Sequence, residues 1–168
     1  TENERELAKL PGEVFAYNMT DKGRDRLVAT LKKGCLAPEV LRLKKGARVM
    51  FVKNNYEAGF VNGTLGLVSS CDPLGISVRT LKGKLINVLP ASWRIEEEGK
   101  TKAEITQFPL RLAWAITVHK SQGLSLDAAE IDLSKSFEKG MGYVALSRVR
   151  SLAGLALKGF NTLALQVD

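Results

Sequence analysis

The chain has 168 residues, of which 45% are apolar and 26% charged, with a formal net charge of +7, so it can bury a core as one domain or as two small ones. No apolar run approaches the ~18 residues that span a bilayer, and the opening Thr-Glu-Asn-Glu-Arg-Glu is polar and acidic, unlike a secretory leader; the expectation is a soluble intracellular protein with no membrane partner, cytoplasmic and nucleoid-associated if bacterial, nuclear or mitochondrial if eukaryotic. Only Cys35 and Cys71 occur, without a Cys-x-x-Cys and beside a single histidine, so neither a disulfide scaffold nor a zinc or other metal site is expected.

In chain order, residues 13–19 carry strand-like side chains (Val14, Phe15, Tyr17), and 22–33 read as a helix in which Leu27, Val28 and Leu31 share a face. Asp21 is the predicted N-cap of that helix and Gly34 its stop. Charge is spread unevenly: residues 22–58 hold ten Lys or Arg against three acids, whereas 1–21 hold five acids against two bases. A block with Lys44, Lys45, Arg48 and Lys53 close together suits a polyanion, and suits a merely soluble basic surface equally well.

From 44 to 108 the texture changes to short β-rich runs at 48–53, 64–69, 76–81, 84–89 and 105–108, divided by the turn signals Asn62-Gly63, Asp72-Pro73 and Lys82-Gly83. Five strands so spaced suit a small barrel. The loop 54–63, with Asn55, Tyr56 and Asn62, either offers an aromatic ring and amides to a nucleic-acid strand or is an ordinary turn. Trp93 and Trp114 lie beside apolar neighbours and are assigned to packing. Gly99-Lys100-Thr101 looks like the end of a phosphate-binding loop, but the earlier glycine of that motif falls at Arg94, and three consecutive glutamates precede the triplet. No other Gly-Lys-Ser or Gly-Lys-Thr occurs.

Residues 113–148 carry most of the chemistry. Thr117, His119, Lys120, Ser121 and Gln122 put two hydroxyls, an imidazole, an ammonium and an amide into six residues, ending at Gly123, a set that suits phosphate oxygens. The run 127–133 alternates, with Ala129, Ile131 and Leu133 on one face and Glu130 and Asp132 on the other, which predicts a strand. Arg148 falls near the end of a helix-like segment, two residues before Arg150, and a guanidinium forks onto phosphate. Tyr143 is expected to pack its ring under that helix rather than to stack on a base, and Arg150 to be solvated rather than to make a second phosphate contact. For His119 a buried imidazole bonded to a backbone carbonyl is the alternative to a ligand contact.

Leu-Ala-Trp-Ala-Ile-Thr-Val-His-Lys-Ser-Gln-Gly-Leu-Ser-Leu-Asp (112–127) and Gly-Tyr-Val-Ala-Leu-Ser-Arg-Val (142–149) resemble two motifs of superfamily 1 DNA helicases, of the Pif- and RecD-like branch. Residues 43–55 and 59–66 are also similar to that branch, so the resemblance spans about 40–160 with its parts in the family's order. It implies an α/β RecA-like half-domain of the P-loop NTPase type, with 1–43 as an incomplete N-terminal part, 44–108 as an inserted all-β Src-homology-3-like barrel, and 109–168 as the C-terminal part. It implies DNA phosphate contacts at Thr117 and His119, with Lys120 supporting electrostatically; Asn55, Tyr56 and Asn62 of the loop 54–63 are added as candidate single-stranded DNA contacts on their own chemistry, with the ordinary turn as the alternative. Gln122 and Gly123 would face the nucleotide's terminal phosphate, and Arg148 would be an arginine finger. ATP and magnesium would be shared with an N-terminal motor domain of the same parent that this sequence does not contain, with the magnesium ligands there too. Two readings follow: the C-terminal part of an ATP-dependent DNA helicase that does not hydrolyse ATP alone, or a freestanding nucleic-acid-binding module. Arg148 separates them, because only a motor needs a cation at a transferring phosphoryl group.

Overall fold

The structure is a computed structural model, and it describes residues 1–167. It divides into two compact units: residues 1–61 with 65–115, and residues 116 onward with Asn62–Thr64.

The first unit opens with helix α1 (Glu2–Lys9), whose Thr1 and Glu4 form a reciprocal capping box. Strands β1 (Phe15–Asn18) and β2 (Thr20–Gly23) follow, then helix α2 (Asp25–Gly34) and strand β3 (Val40–Leu43), which pairs antiparallel with β1. The helix is N-capped by the Arg24 backbone rather than by Asp21, because tertiary pairing claims 20–23 as a strand. Gly23 makes that pairing possible: its φ is +115°, and a Cβ there would sit 2.4 Å from the Lys102 carbonyl oxygen.

Next come β4 (Arg48–Phe51), β5 (Leu65–Asp72), β6 (Gly75–Thr80), β7 (Leu85–Val88), β8 (Ala91–Glu97), β9 (Lys100–Gln107) and β10 (Leu110–Leu112). Five of them form an antiparallel sheet in the order β10-β4-β5-β6-β7, and β2-β9-β8 form another. All five expected strands of this region are present, with β8 and β10 in addition. The inward alternation is regular: Val68, Ile76, Val78, Ile86 and Val88 join Leu41, Leu43, Val49, Phe51 and Leu110 in one core, and burial of this kind is the main stabilising term of a small unit. Phe51 stacks on Phe60 with ring centroids 4.1 Å apart. Trp93 and Trp114 pack against cores of this unit, as assigned.

The second unit holds a short helix α3 (Val118–Ser121), strand β11 (Ala129–Leu133), helix α4 (Met141–Leu146) and strand β12 (Leu155–Phe160). Strands β11 and β12 are parallel neighbours joined through α4, a βαβ arrangement. Ile131 and Leu133 point into a core with Ala145 and Ala164, while Glu130 and Asp132 face water, as the alternation predicts. The fold is therefore α/β with mixed sheets: antiparallel in the first unit, parallel in the second.

Candidate nucleic-acid and nucleotide interface

The segment 117–123 folds as one turn of helix with all its polar side chains but Ser121 outward. Thr117 is the N-cap, its Oγ1 accepting the Lys120 backbone N–H at 3.4 Å, which leaves the hydroxyl proton as a donor. Ser121 turns inward, its Oγ donating to the Val118 carbonyl at 2.6 Å, and buried Leu124 closes the turn through its N–H to the Ser121 carbonyl at 3.0 Å. His119, Lys120, Gln122 and Gly123 are exposed. Gly123 has φ +76°, a conformation glycine adopts at little cost. His119 is not a buried imidazole: its Nε2 lies 3.4 Å from Glu138 Oε2, with both side chains more than half exposed.

Helix α4, N-capped by Gly140, brings Gly142 against Ala164, where a Cβ would meet the Ala164 carbonyl oxygen at 2.0 Å. Glycine is therefore required at the start of the second motif by close backbone approach. Just past the helix, the Arg148 carbonyl accepts the Leu126 N–H at 2.8 Å and the Arg150 N–H donates to the Leu126 carbonyl at 2.9 Å. This bridge ties the end of the second motif to the end of the first, and α3 packs on α4 in the same unit. The Arg148 side chain folds back on its own helix, Nε donating to the Val144 carbonyl at 3.1 Å and Nη2 to Ser147 Oγ at 3.1 Å. Two expectations are corrected here. Tyr143 does not pack under the helix but is 69% exposed, because the small residues Gly142 and Ala145 take the inward positions. Arg150 is not simply solvated, since its Nη1 lies 3.3 Å from Asp127 Oδ1.

The loop 54–63 is divided between the units. Asn55 and Tyr56 belong to the first; Asn62 belongs to the second, where its carbonyl accepts the Ser125 N–H at 3.4 Å. Asn55 organises the loop, pairing with Phe60 through its backbone while its Oδ1 accepts the Ala58 N–H at 3.0 Å. Tyr56 is 78% exposed. Part of the basic block is less available than its sequence suggests, although Lys45 and Arg48 are exposed. Lys44 Nζ donates to the Leu10 carbonyl at 2.8 Å, Lys32 pairs with Asp21 and Glu39, and Lys53 Nζ donates to the Ser92 carbonyl over the Trp93 ring. Burial, seconded by Arg94, pushes the Lys53 ammonium below its usual pKa.

Gly99-Lys100-Thr101 lies at the β8–β9 hairpin, with Glu98 and Gly99 both at positive φ, and not between a strand and a helix as a phosphate-binding loop must. Among the described residues no group of three or more His, Cys, Asp or Glu is placed to hold a metal ion, and no helix is long and apolar enough to cross a membrane. Sequence reasoning missed Phe137 and Glu138, which touch His119 from the loop before α4; the interleaving of Lys135, Phe137 and Lys139 was the signal available.

One α/β unit thus displays both helicase-like motifs, which sets the chain among proteins related to DNA helicases. The family described as "DNA helicase Pif1, 2B domain" matches residues 26–70. A relative named ATP-dependent DNA helicase Pif1, from Psychrobacter sp., is 41% identical over 218 residues, covering 99% of this chain and 33% of its own length. The structure of unliganded Pif1 from Bacteroides sp superposes with a TM-score of 0.84 at 32% identity, over 99% of this chain and 40% of that one. Bacteroides Pif1 bound to ssDNA gives 0.65 at 33% identity, with the same 99% and 40% coverage. The chain's kinship is with the Pif1 DNA helicases, and it spans about a third of the length of the curated relatives it matches.

Proposed function

We propose that these residues are the C-terminal part of an ATP-dependent DNA helicase, contributing single-stranded DNA contacts and an arginine finger to an ATP site completed by an N-terminal motor domain of the same parent. The observation that carries this reading is that the Thr117–Gly123 turn and the Arg148 segment are tied into one βαβ unit by the Leu126 bridge, within a chain that matches helicases along nearly its whole length. Residues 109–168 are read as part of a RecA-like motor domain, and 44–108 as the inserted Src-homology-3-like barrel, a reading supported by the five-stranded antiparallel sheet.

The roles follow from the chemistry. Thr117 donates its hydroxyl proton to a DNA phosphate, His119 adds a hydrogen bond and Lys120 its charge, and Asn55, Tyr56 and Asn62 contact the strand from the loop 54–63. ATP with magnesium, when bound, would supply the transferable phosphoryl group and neutralising charge. Toward that site this chain offers the Gln122 amide, the Gly123 backbone and the Arg148 guanidinium. Arg148 is held by the Val144 carbonyl and the Ser147 hydroxyl, so acting as a finger requires those two bonds to be exchanged for phosphate contacts.

Phosphate release and oligonucleotide titration, on the complete parent and on this chain, test the reading. The parent hydrolyses ATP in a DNA-stimulated manner; this chain alone binds single-stranded DNA weakly, with steep salt dependence, and hydrolyses none. Turnover by the purified 168-residue chain that survives repeated purification contradicts it.

A further inference from the structure

The loop between β11 and α4, Ser134-Lys135-Ser136-Phe137-Glu138-Lys139, is more firmly held than its length demands. Asn161 Nδ2 donates to the Ser134 carbonyl at 3.3 Å and the Ser136 carbonyl at 2.9 Å, and Asp132 Oδ1 accepts the Ser134 N–H at 3.0 Å and its hydroxyl at 2.6 Å. The Ser136 N–H reaches the Leu133 carbonyl at 3.2 Å, and Gly140 anchors the far end through the Gln166 carbonyl at 2.8 Å. Ser136 is buried by these bonds. Phe137, the next residue, is left 68% exposed. A phenyl ring held in water by a well-bonded backbone forgoes the burial that aromatic side chains ordinarily gain, and such a preorganised ring loses little entropy on meeting a ligand.

Its neighbours indicate which ligand. The Phe137 ring lies 6.2 Å from the His119 imidazole at an interplanar angle of 24°, so the two aromatic planes run nearly parallel beside the Thr117–Lys120 turn. Glu138 places a carboxylate oxygen 3.4 Å from His119 Nε2. The Lys120 ammonium and the Thr117 hydroxyl, on the same turn as His119, suit phosphate, while the Glu138 carboxylate, 3.4 Å from His119 and next to Phe137 in the chain, repels it. A strand whose phosphate is held on that turn can lay a base on the neighbouring phenyl ring.

We propose that Phe137 is a base-stacking residue, on whose exposed face one base of single-stranded DNA lies while the adjoining phosphate is held at Thr117–Lys120. The inference rests on the proposed single-stranded DNA contact at that turn. Every base has a π face, so the contact tolerates any sequence. It adds affinity without neutralising a phosphate, and therefore without releasing counterions.

The test uses the complete parent protein with oligothymidylate, and with the same strand made abasic, titrated across a salt series. Phe137→Ala and Phe137→Leu should weaken binding to the base-bearing strand by roughly five- to 150-fold with the salt slope unchanged, and Phe137→Tyr should restore it. On the abasic strand wild type and Phe137→Ala should bind alike. Lys120→Ala serves as the control for the underlying reading: it should lower the salt slope, and an unchanged slope sinks the phosphate contact at Thr117–Lys120 whatever Phe137 does. With that control positive, wild-type affinity in Phe137→Leu shows that only apolar bulk matters and overturns the stacking proposal. So does an equal loss on both strands, or a lowered Tm of Phe137→Ala with normal DNA affinity, which would mean that another part of the protein covers the ring. Because Phe137→Leu and Phe137→Tyr keep the side-chain bulk, the comparison stands even if the alanine variant folds poorly.

Discussion

In the first unit Lys44 reaches the Leu10 carbonyl, Lys53 the Ser92 carbonyl, and Glu104 is clasped between Lys22 and Arg94; in the second, His119, Lys120, Gln122 and Gly123 stand in solvent on a single turn. The first unit spends polar side chains on its own backbone because its strands leave carbonyls at sheet edges and turns that need donors. The 117–123 turn of the second unit is closed by short local bonds, Thr117 to Lys120 and Ser121 to Val118, and keeps its remaining functional groups outward. The contrast teaches that a count of lysines measures net charge, not a ligand surface. Here Lys44 and Lys53 of the basic block are bound to backbone carbonyls, while the less basic 117–123 turn keeps His119, Lys120 and Gln122 exposed.

The sharpest way to break this comparison is at Arg148. If it is a finger, Arg148→Ala and Arg148→Lys in the complete protein should both cut ATP turnover about a thousandfold or more, since an ammonium lacks the planar fork, while single-stranded DNA affinity changes little. Near-normal hydrolysis by a folded Arg148→Ala protein ends that assignment.

Core truncation gives the next largest effect. Phe51, fully buried and stacked on Phe60, should cost about 3–5 kcal/mol when changed to alanine, whereas Tyr143→Ala should stay within about 0.5 kcal/mol because the ring is exposed. Denaturant melts of the two variants measure this directly. Equal destabilisation would mean that Tyr143 is covered in the complete protein.

Thr117→Val and His119→Ala should each weaken DNA binding by about 1 kcal/mol, the net worth of a typical hydrogen bond, and should lower DNA-stimulated ATPase more than the unstimulated rate. Lys53→Ala should leave the salt slope of DNA binding unchanged, as its ammonium is held by the Ser92 carbonyl. A shallower slope for Lys53→Ala would show that the residue faces a phosphate after all.

The smallest effect is one of pH. Burial, with Cys71 and Asp72 beside it, raises the Tyr17 phenol from 10.0 to about 12, and its hydroxyl donates to the Asp72 carbonyl at 2.7 Å. Between pH 10 and 12 the unfolded chain therefore loses this proton while the folded chain keeps it, so stability falls as pH rises through that window. Tyr17→Phe should flatten this part of the curve, and an identical decline in both proteins would assign it to other groups.

The amino-acid order by itself determined the texture of the chain: the alternation of 129–133, the strands between 48 and 107, the rejection of Gly99-Lys100-Thr101, and the polar turn at 117–123. These are signals of local period and local chemistry, and each is complete within a few residues. Asp21 lost its capping role because Thr20–Gly23 pairs with β9, some eighty positions away, and no local propensity reports such a partner. Tyr143 turned outward because Gly142 and Ala145 occupy the tight contacts inside, while Arg150 found Asp127 and Phe137 found His119 through the folding of α4 beside α3. Pairings of that kind depend on which elements become neighbours, a choice made by burying Ile131, Leu133, Ala145 and Ala164 together, and for that reason only the tertiary structure decided them.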